Sequence, residues 1–310
     1  MITVAGLTPS LDLTYLVPSL VLGEIHRTSE VVRCAGGKAL NMARAASTVG
    51  GVMQVVAILG GDTGRTLTAM LQSEGLPVVA VSSPLETRTC VSIAVADTGR
   101  LTEVYQDADA LPAEVWSRFR TALETALRGT SGWLSISGRA PASSGGGIAD
   151  LVSLGHDFGV RVAVDTHGDA LPGAVAARPD LVKVNRYEAA ELLEVAPETE
   201  LFQMATAIQT RTGAPVVLTD GAGGSLAVDG EVALTARAPD LVGRYPVGSG
   251  DSFLGGLLAA VDRGADLAEA LRLATACGVA NALVPGQGHF PAGSAAEIAP
   301  QVLVRPARSA

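Results

Sequence analysis

Two glycines bracket a serine just ahead of a carboxylate in Val247-Gly248-Ser249-Gly250-Asp251-Ser252-Phe253-Leu254. Beyond it, Phe253, Leu254, Leu257, Leu258 and Val261 keep helical spacing, which predicts a helix starting at Gly248–Gly250. Unpaired N–H groups at such a start converge on an anion, and the helix dipole favours negative charge. Asp251 then stands in the first turn, where a carboxylate suits activation of an alcohol against a phosphoryl group. On this segment alone a second reading also stands: Asp251 is an acidic residue favouring a helix start, and the glycines form a tight turn. The dinucleotide pattern G-x-G-x-x-G fails, because Phe253 occupies the third glycine position.

A related arrangement lies nearer the N-terminus, in Gly36-Gly37-Lys38-Ala39-Leu40-Asn41-Met42-Ala43-Arg44. A glycine pair opens an Ala-rich helix, and Lys38 and Asn41 sit in its first turn, suited to a polyol or a phosphate. On this segment alone, a glycine-started helix with a solvated Lys38 fits slightly better. It is not a Walker loop, since Ala39 follows Gly37-Lys38 and Val32 replaces the first glycine. The histidines His26, His156, His167 and His289 show no metal-ligand spacing, and Cys34, Cys90 and Cys277 are too scattered for a disulfide framework.

The elements that must position these groups alternate along the chain. Strands are predicted at Ile2–Ala5, Val52–Ile58, Trp133–Ile136, Val160–Val164, Leu181–Val184 and Val216–Thr219. Helical patterns fill the gaps at Leu40–Val49, Thr66–Glu74, Ala113–Leu127, Glu188–Leu193 and Leu201–Thr212. This reads as an α/β fold: a mostly parallel sheet with helices on both faces and ligands at the strands' carboxyl ends. Leu11–Arg33 and Thr87–Tyr105 break the alternation with extended, polar/apolar segments, the second holding a hairpin at Asp97-Thr98-Gly99-Arg100. They are expected to build a small antiparallel lid over the ligand edge. Ala140–Gly147 reads as a flexible loop, and the tail after Gly293 carries no signal of its own.

Composition narrows the function classes. The 310 residues are 48% hydrophobic and carry a formal charge of −9, against a nucleic-acid or anionic-membrane binder. The absence of a long apolar run and of a leader pattern points to a cytoplasmic protein. Thirty-six glycines promise many tight turns and close packing sites.

The two glycine motifs together resemble the signatures of the PfkB branch of the ribokinase-like carbohydrate kinases, in particular the 1-phosphofructokinase and tagatose-6-phosphate kinase subgroup. Thr8-Pro9-Ser10-Leu11-Asp12 resembles its entry segment, Thr87-Arg88 its Thr-Arg pair, and Ser137-Gly138-Arg139-Ala140-Pro141 its Ser-Gly-Ser-x-Pro loop. Asp165-Thr166-His167-Gly168 is similar to Asp-Thr-Ser-Gly, Asn185-Arg186-Tyr187-Glu188 holds Asn-x-x-Glu, and Asp220-Gly221-Ala222-Gly223-Gly224 resembles the nucleotide-side loop. The resemblance covers nearly the whole chain. It implies a three-layer α/β/α ribokinase-like domain over 1–310 with a lid from about 11–33 and 87–105.

It also implies an ATP-dependent kinase using Mg²⁺ that phosphorylates a ketohexose phosphate: fructose 1-phosphate, tagatose 6-phosphate or fructose 6-phosphate. Asp251 is the implied base, with Gly248, Ser249 and Gly250 around the transferred phosphoryl. Asp12, Gly36, Gly37, Lys38 and Asn41 map to the sugar pocket, with Ser137, Gly138 and Arg139 on the sugar-phosphate loop. Lys38, Arg88 and Arg27 are the cations for a phosphate already on the sugar. Asn185 and Glu188 would organise Mg²⁺ through water, while Lys183, Asn185, Thr219, Gly221, Gly224 and Asn281 would serve the nucleotide. A homodimer through the lid is expected. The alternatives are a kinase for a free sugar or nucleoside, or a non-catalytic sugar or nucleotide sensor. Departures from the subgroup pattern cluster near the acceptor: Ala39 for glycine, Ser249 for alanine, Arg139 and His167 for serines, and Tyr245-Pro246 ahead of the anion hole. Substrate identity is therefore the least constrained expectation.

Overall fold

The computed structural model describes residues 1–28, 30–141 and 147–307. The first half of the chain runs β1 (Ile2–Gly6), β2 (Ser10–Val17), β3 (Glu30–Gly36), α1 (Lys38–Thr48), β4 (Met53–Gly60), α2 (Gly61–Ser73), β5 (Val78–Ser83), β6 (Arg88–Val95), β7 (Arg100–Tyr105) and α3 (Ala113–Leu127). It continues with β8 (Trp133–Ser137), α4 (Gly147–Asp157), β9 (Arg161–Asp165), α5 (Ala170–Ala176), β10 (Leu181–Asn185), α6 (Arg186–Leu193) and α7 (Leu201–Thr212). The last part is β11 (Val216–Thr219), β12 (Ser225–Asp229), β13 (Val232–Arg237), α8 (Ser249–Asp262), α9 (Leu267–Ala282), α10 (Ala292–Ile298) and β14 (Leu303–Pro306).

The large sheet has the order β14-β13-β12-β11-β10-β9-β8-β1-β4-β5. From β11 to β5 neighbouring strands are parallel, and β12, β13 and β14 add an antiparallel edge. Alternation of side chains divides the core. Val4 and Val55 pack with α1, α2, α8 and α9, while Ala5, Val56 and Ile58 pack with α3 and α4. Three layers result, as expected.

Five elements named here exceed the sequence reading. β5 follows α2 as an edge strand, and its half-exposed residues weakened the apolar signal. The β12–β13 hairpin turns at Gly230-Glu231, between the paired Asp229 and Val232, with Gly230 at φ 58°. The tail does carry structure: α10 packs on the core and β14 pairs with β13. Most of the loop expected at Ala140–Gly147 lies outside the described residues.

The two segments that broke the alternation form a separate four-stranded sheet, β3-β2-β6-β7, mixed rather than antiparallel as expected, because β2 and β6, which come from different segments of the chain, run parallel. Its hairpin falls between β6 and β7, with Gly99 at φ 64°. Across it, Asp12 is in register with Cys34 on one side and Cys90 on the other, so one face carries all three.

Close helix contact fixes the site. A Cβ on Gly255 of α8 would lie 2.6 Å from the Met42 carbonyl oxygen of α1, and one on Gly256 2.7 Å from the Cys277 Sγ of α9. These glycines let α8 sit directly against both neighbours, which brings the first turns of α1 and α8 together.

Candidate active site

α8 begins at Gly248, its N-cap, at φ 80° and ψ −3°. Only glycine adopts this left-handed geometry freely, and a Cβ there would also approach the Gln287 Cβ to 2.8 Å. The amides of Ser249 and Gly250 belong to the first turn, close to Asp251. Asp251 is buried, and Asn41 Nδ2 on α1 donates to its Oδ2 at 2.9 Å. Burial pushes the Asp251 carboxyl above its ordinary range, reinforced by Asp165 and opposed by Lys38 and the Asn41 amide. A desolvated carboxylate of raised basicity, at an anion-attracting helix start, is set up to take a proton from a hydroxyl. Asn41 Oδ1 is buried without a protein partner, leaving an acceptor available to a bound hydroxyl.

The small sheet brings Asp12 to the same place. Ser10 Oγ donates to Asp12 Oδ1 at 2.6 Å, and the Gly37 backbone N–H also supports the carboxylate. Burial still lifts Asp12 to about 6. A methyl group on Gly36 would overlap this carboxylate, so that glycine is a steric requirement. Gly37, at φ 93°, caps α1. Beside it, a narrow crevice is lined by Thr8, Pro9, Gly36, Gly37, Lys38 and Ser137.

A charge triad links three elements. Lys38 Nζ on α1 is 2.9 Å from Asp165 Oδ1, and Lys183 Nζ on β10 is 2.8 Å from Asp165 Oδ2. Asp165, at the end of β9, is fully buried. Burial alone would raise its carboxyl, but Lys183 and Lys38 hold it down at about 2. Burial opposes the Lys38 charge too, yet Asp165, Asp251 and Glu188 outweigh it and push the ammonium up. A Cβ on Gly250 would lie 3.1 Å from Lys183 Nζ, so this ammonium borders the start of α8.

On the other side of that helix start lies a largely apolar cleft of about 300 Å³. Thr219, Gly221 and Gly224 line one wall, Ser249, Gly250 and Phe253 the floor, and Thr275, Gly278, Val279 and Ala282 of α9 the other wall. Gly224, at φ 100°, turns the chain into β12. Asn185 and Glu188 form a capping box at α6: Asn185 Oδ1 accepts from the Tyr187 and Glu188 amides, and Glu188 Oε2 accepts from the Asn185 amide at 2.7 Å. The Asn185 oxygen is thus occupied by the cap, and Glu188 Oε1 has no hydrogen-bond partner among the described residues.

Most candidate residues therefore converge: Asp12, Gly36, Gly37, Lys38, Asn41, Ser137 and Gly138 on one side of Asp251, and Lys183, Thr219, Gly221 and Gly224 on the other. Others do not. Asn281, expected at the nucleotide, is wholly buried and holds the loop before α8 through the Tyr245 and Val247 carbonyls, Ser249 Oγ and the Gly288 amide. Arg27 stays exposed between β2 and β3 with no hydrogen bond or ion pair among the described residues. Arg88 uses Nη1 on the Gln106 carbonyl and Nη2 on the Thr8 carbonyl. Arg139 Nε donates to His167 Nε2 at 3.1 Å.

Sequence reasoning attached no site role to Asp165 beyond the resemblance of Asp165-Thr166-His167-Gly168 to Asp-Thr-Ser-Gly. Its signal was present: a carboxylate ending an apolar parallel strand, where ligands gather. The α9 wall was missed outright. Thr275, Gly278, Val279 and Ala282 keep i, i+3, i+4, i+7 spacing, which reads as ordinary helix packing until the cleft is seen.

Comparison with known proteins agrees with this fold. A family model described as pfkB family carbohydrate kinase matches residues 1–292. The chain is 33% identical over 279 residues to a 1-phosphofructokinase of Rhodobacter capsulatus, covering 89% of the chain and 88% of that protein. It is 31% identical to the ATP-dependent 6-phosphofructokinase isozyme 2 of Escherichia coli K12, covering 90% and 92%. The crystal structure of phosphofructokinase-2 from E. coli in complex with substrates and products superposes with a TM-score of 0.87 at 27% identity, covering 97% and 98%. A tetrameric inhibited form of that same protein also superposes, with a TM-score of 0.88 at 27% identity over the same shares.

Proposed function

The chain belongs to the pfkB family of carbohydrate kinases, and from that premise we propose that it transfers the γ-phosphoryl of ATP to a hydroxyl of a ketohexose phosphate, with Asp251 as general base. The observation that carries the reading is the meeting of Asn41 and Asp251 at the shared start of α1 and α8, beside Lys38 and Lys183. Asp12 and Asn41 offer oxygen acceptors to sugar hydroxyls, and the 300 Å³ cleft offers an apolar bed to a nucleobase.

In the reaction, Asp251 takes the proton of the acceptor hydroxyl as its oxygen attacks the γ-phosphorus. The bond from that phosphorus to the β-phosphate oxygen breaks, and ADP leaves. The Ser249 and Gly250 amides and the Lys183 and Lys38 ammoniums stabilise charge spread over the phosphoryl oxygens. Mg²⁺ fits the donor set only indirectly: the described residues contain no cluster of three carboxylate, histidine or cysteine ligands. Glu188 Oε1 would hold it through water, and the ion would neutralise nucleotide phosphate charge when bound.

An ADP-release screen over fructose 1-phosphate, fructose 6-phosphate, tagatose 6-phosphate and the free ketohexoses tests this reading. The expected result is a kcat/KM at least tenfold higher for one phosphorylated sugar than for its free form. Turnover confined to free sugars would replace the assignment, and ATP binding without turnover of any acceptor would make the chain a sensor.

The small sheet supplies the lid and, in this reading, a homodimer contact. Its outer face carries Leu13, Tyr15, Val91 and Ile93, all partly exposed, and Val104 at 63%. Pairing of two such faces would cover apolar surface and protect the strand edges. Light scattering at micromolar concentration should give twice the 31.4 kDa chain mass, and Leu13→Glu should reduce it to one. A wild-type monomer would refute the contact. No helix among the described residues is long and apolar enough to cross a membrane.

A further inference from the structure

Arg186 and Asp220 take equivalent places on neighbouring strands. Asn185 and Thr219 are in register at the ends of β10 and β11, and Arg186 and Asp220 are the next residues along. Arg186 opens α6, and Asp220 opens the glycine loop that walls the 300 Å³ cleft. Their side chains meet in a two-pronged ion pair: Arg186 Nε donates to Asp220 Oδ1 at 2.8 Å, and Nη2 to Oδ2 at 3.0 Å. Nη1 donates to the Pro197 and Thr199 carbonyls at 2.7 and 3.0 Å. The guanidinium is thereby tied to the connection between α6 and α7 as well.

The loop has little else to hold its shape. Gly221, Ala222, Gly223 and Gly224 carry nothing larger than a methyl group, and the first three are exposed. Hydrogen bonds close the turn on itself, from the Asp220 amide to the Gly224 carbonyl and from the Gly223 amide to the Asp220 carbonyl, each 2.8 Å. Such internal bonds move with the loop, and a glycine-rich stretch loses more backbone freedom on ordering than any other. Asp220 supplies the side chain that fastens the turn to a regular element. Charge matters here too. Asp220 and, through space, Glu200 are the acids that draw on the Arg186 charge. Without Arg186 the Asp220 carboxylate would stand uncompensated beside a wall offered to an anionic ligand, in a chain already at −9.

We propose that Arg186 is a positioning residue for the nucleotide: its grip on Asp220 fixes the glycine loop in the shape that receives ATP and cancels the carboxylate's repulsion of that ligand. Arg186 acts through Asp220 and touches no substrate. The inference rests on the kinase reading above.

Steady-state kinetics and calorimetric ATP binding on the purified full chain test it. Arg186→Met, which keeps the stem and removes the donors, should raise KM and Kd for ATP about 5- to 20-fold, the order of one lost charge-assisted contact. KM for the sugar phosphate and kcat should change by less than about threefold. Arg186→Lys keeps the charge but not the fork and should fall between wild type and Arg186→Met. Adding Asp220→Asn to Arg186→Met should lower KM for ATP again, because the bare carboxylate is gone. Thermal denaturation shows which variants are folded at the assay temperature; where Arg186→Met is not, Arg186→Lys takes its place in the comparison. An ATP KM within twofold of wild type in the folded Arg186 variant overturns the inference and leaves the kinase reading intact. Equal rises for ATP and sugar phosphate make the pair a support of the whole fold and overturn its nucleotide role. A double variant no better than Arg186→Met overturns the electrostatic part. A wild type that binds ATP but turns over no acceptor removes the kinase reading, and the Kd comparison then decides the inference alone. A wild type that binds no ATP overturns both.

Discussion

Asp251→Asn is expected to lower kcat by about 10²–10⁴, the usual range for losing a positioned general base. KM for both substrates should stay within a few-fold, because the amide keeps the volume and the Asn41 contact. The same variant should melt no lower than wild type. Burial raises the Asp251 carboxyl, so its ionised form is held against a desolvation cost that an amide does not carry. The pH profile follows from the same direction. A protonated carboxyl cannot accept the hydroxyl proton, so wild-type kcat should fall as pH drops through a value above the usual 3.8. Turnover by Asp251→Asn within a few-fold of wild type would assign the base elsewhere.

Asp165→Asn carries the second large effect, on stability. The change leaves the Lys38 and Lys183 ammoniums without their shared carboxylate, and Lys183 is only 4% exposed. Breaking a buried pair from one side costs about 3–5 kcal/mol, which for a chain of this size lowers Tm by about 5–8 °C. The pH dependence has a definite sign. Asp165 is depressed to about 2, so its contribution is present above the unfolded value of 3.8 and lost as pH falls towards 2. Adding Lys183→Met should recover part of the loss, since it removes one uncompensated charge. A melting point for Asp165→Asn within 2 °C of wild type would show that solvent or a counter-ion already compensates the lysines.

What could be seen without coordinates was local chemistry with a strong backbone signature. Gly248 through Asp251 and Gly36 through Asn41 announced two helix starts because glycine pairs followed by apolar periodicity have few other uses. The parallel strands were legible for the same reason, as short β-branched runs. β5 and β14 were not, since edge strands mix exposed and buried residues. Asn185 and Asn281 were read towards the nucleotide, and an amide side chain announces hydrogen bonding but not with whom. Both turned inward, one to cap α6 and one to pin the loop ahead of α8. The Arg139–His167 contact was beyond reach for a different reason: its residues came to notice as two separate oddities, and only the fold makes them neighbours.

The contact between Asn41 and Asp251 spans 210 residues of chain. During synthesis at about 5–20 residues per second, Asn41 waits roughly 10–40 s for its partner to be made. β1, placed in the middle of the large sheet between β4 and β8, is likewise among the first strands made and among those that depend on later ones. Lys38 spends much of that interval without Asp165, as an ammonium in a half-built core. Catalytic competence is thus acquired in the final stage of biogenesis, and phosphoryl transfer by a nascent or refolding population counts only the molecules that have finished.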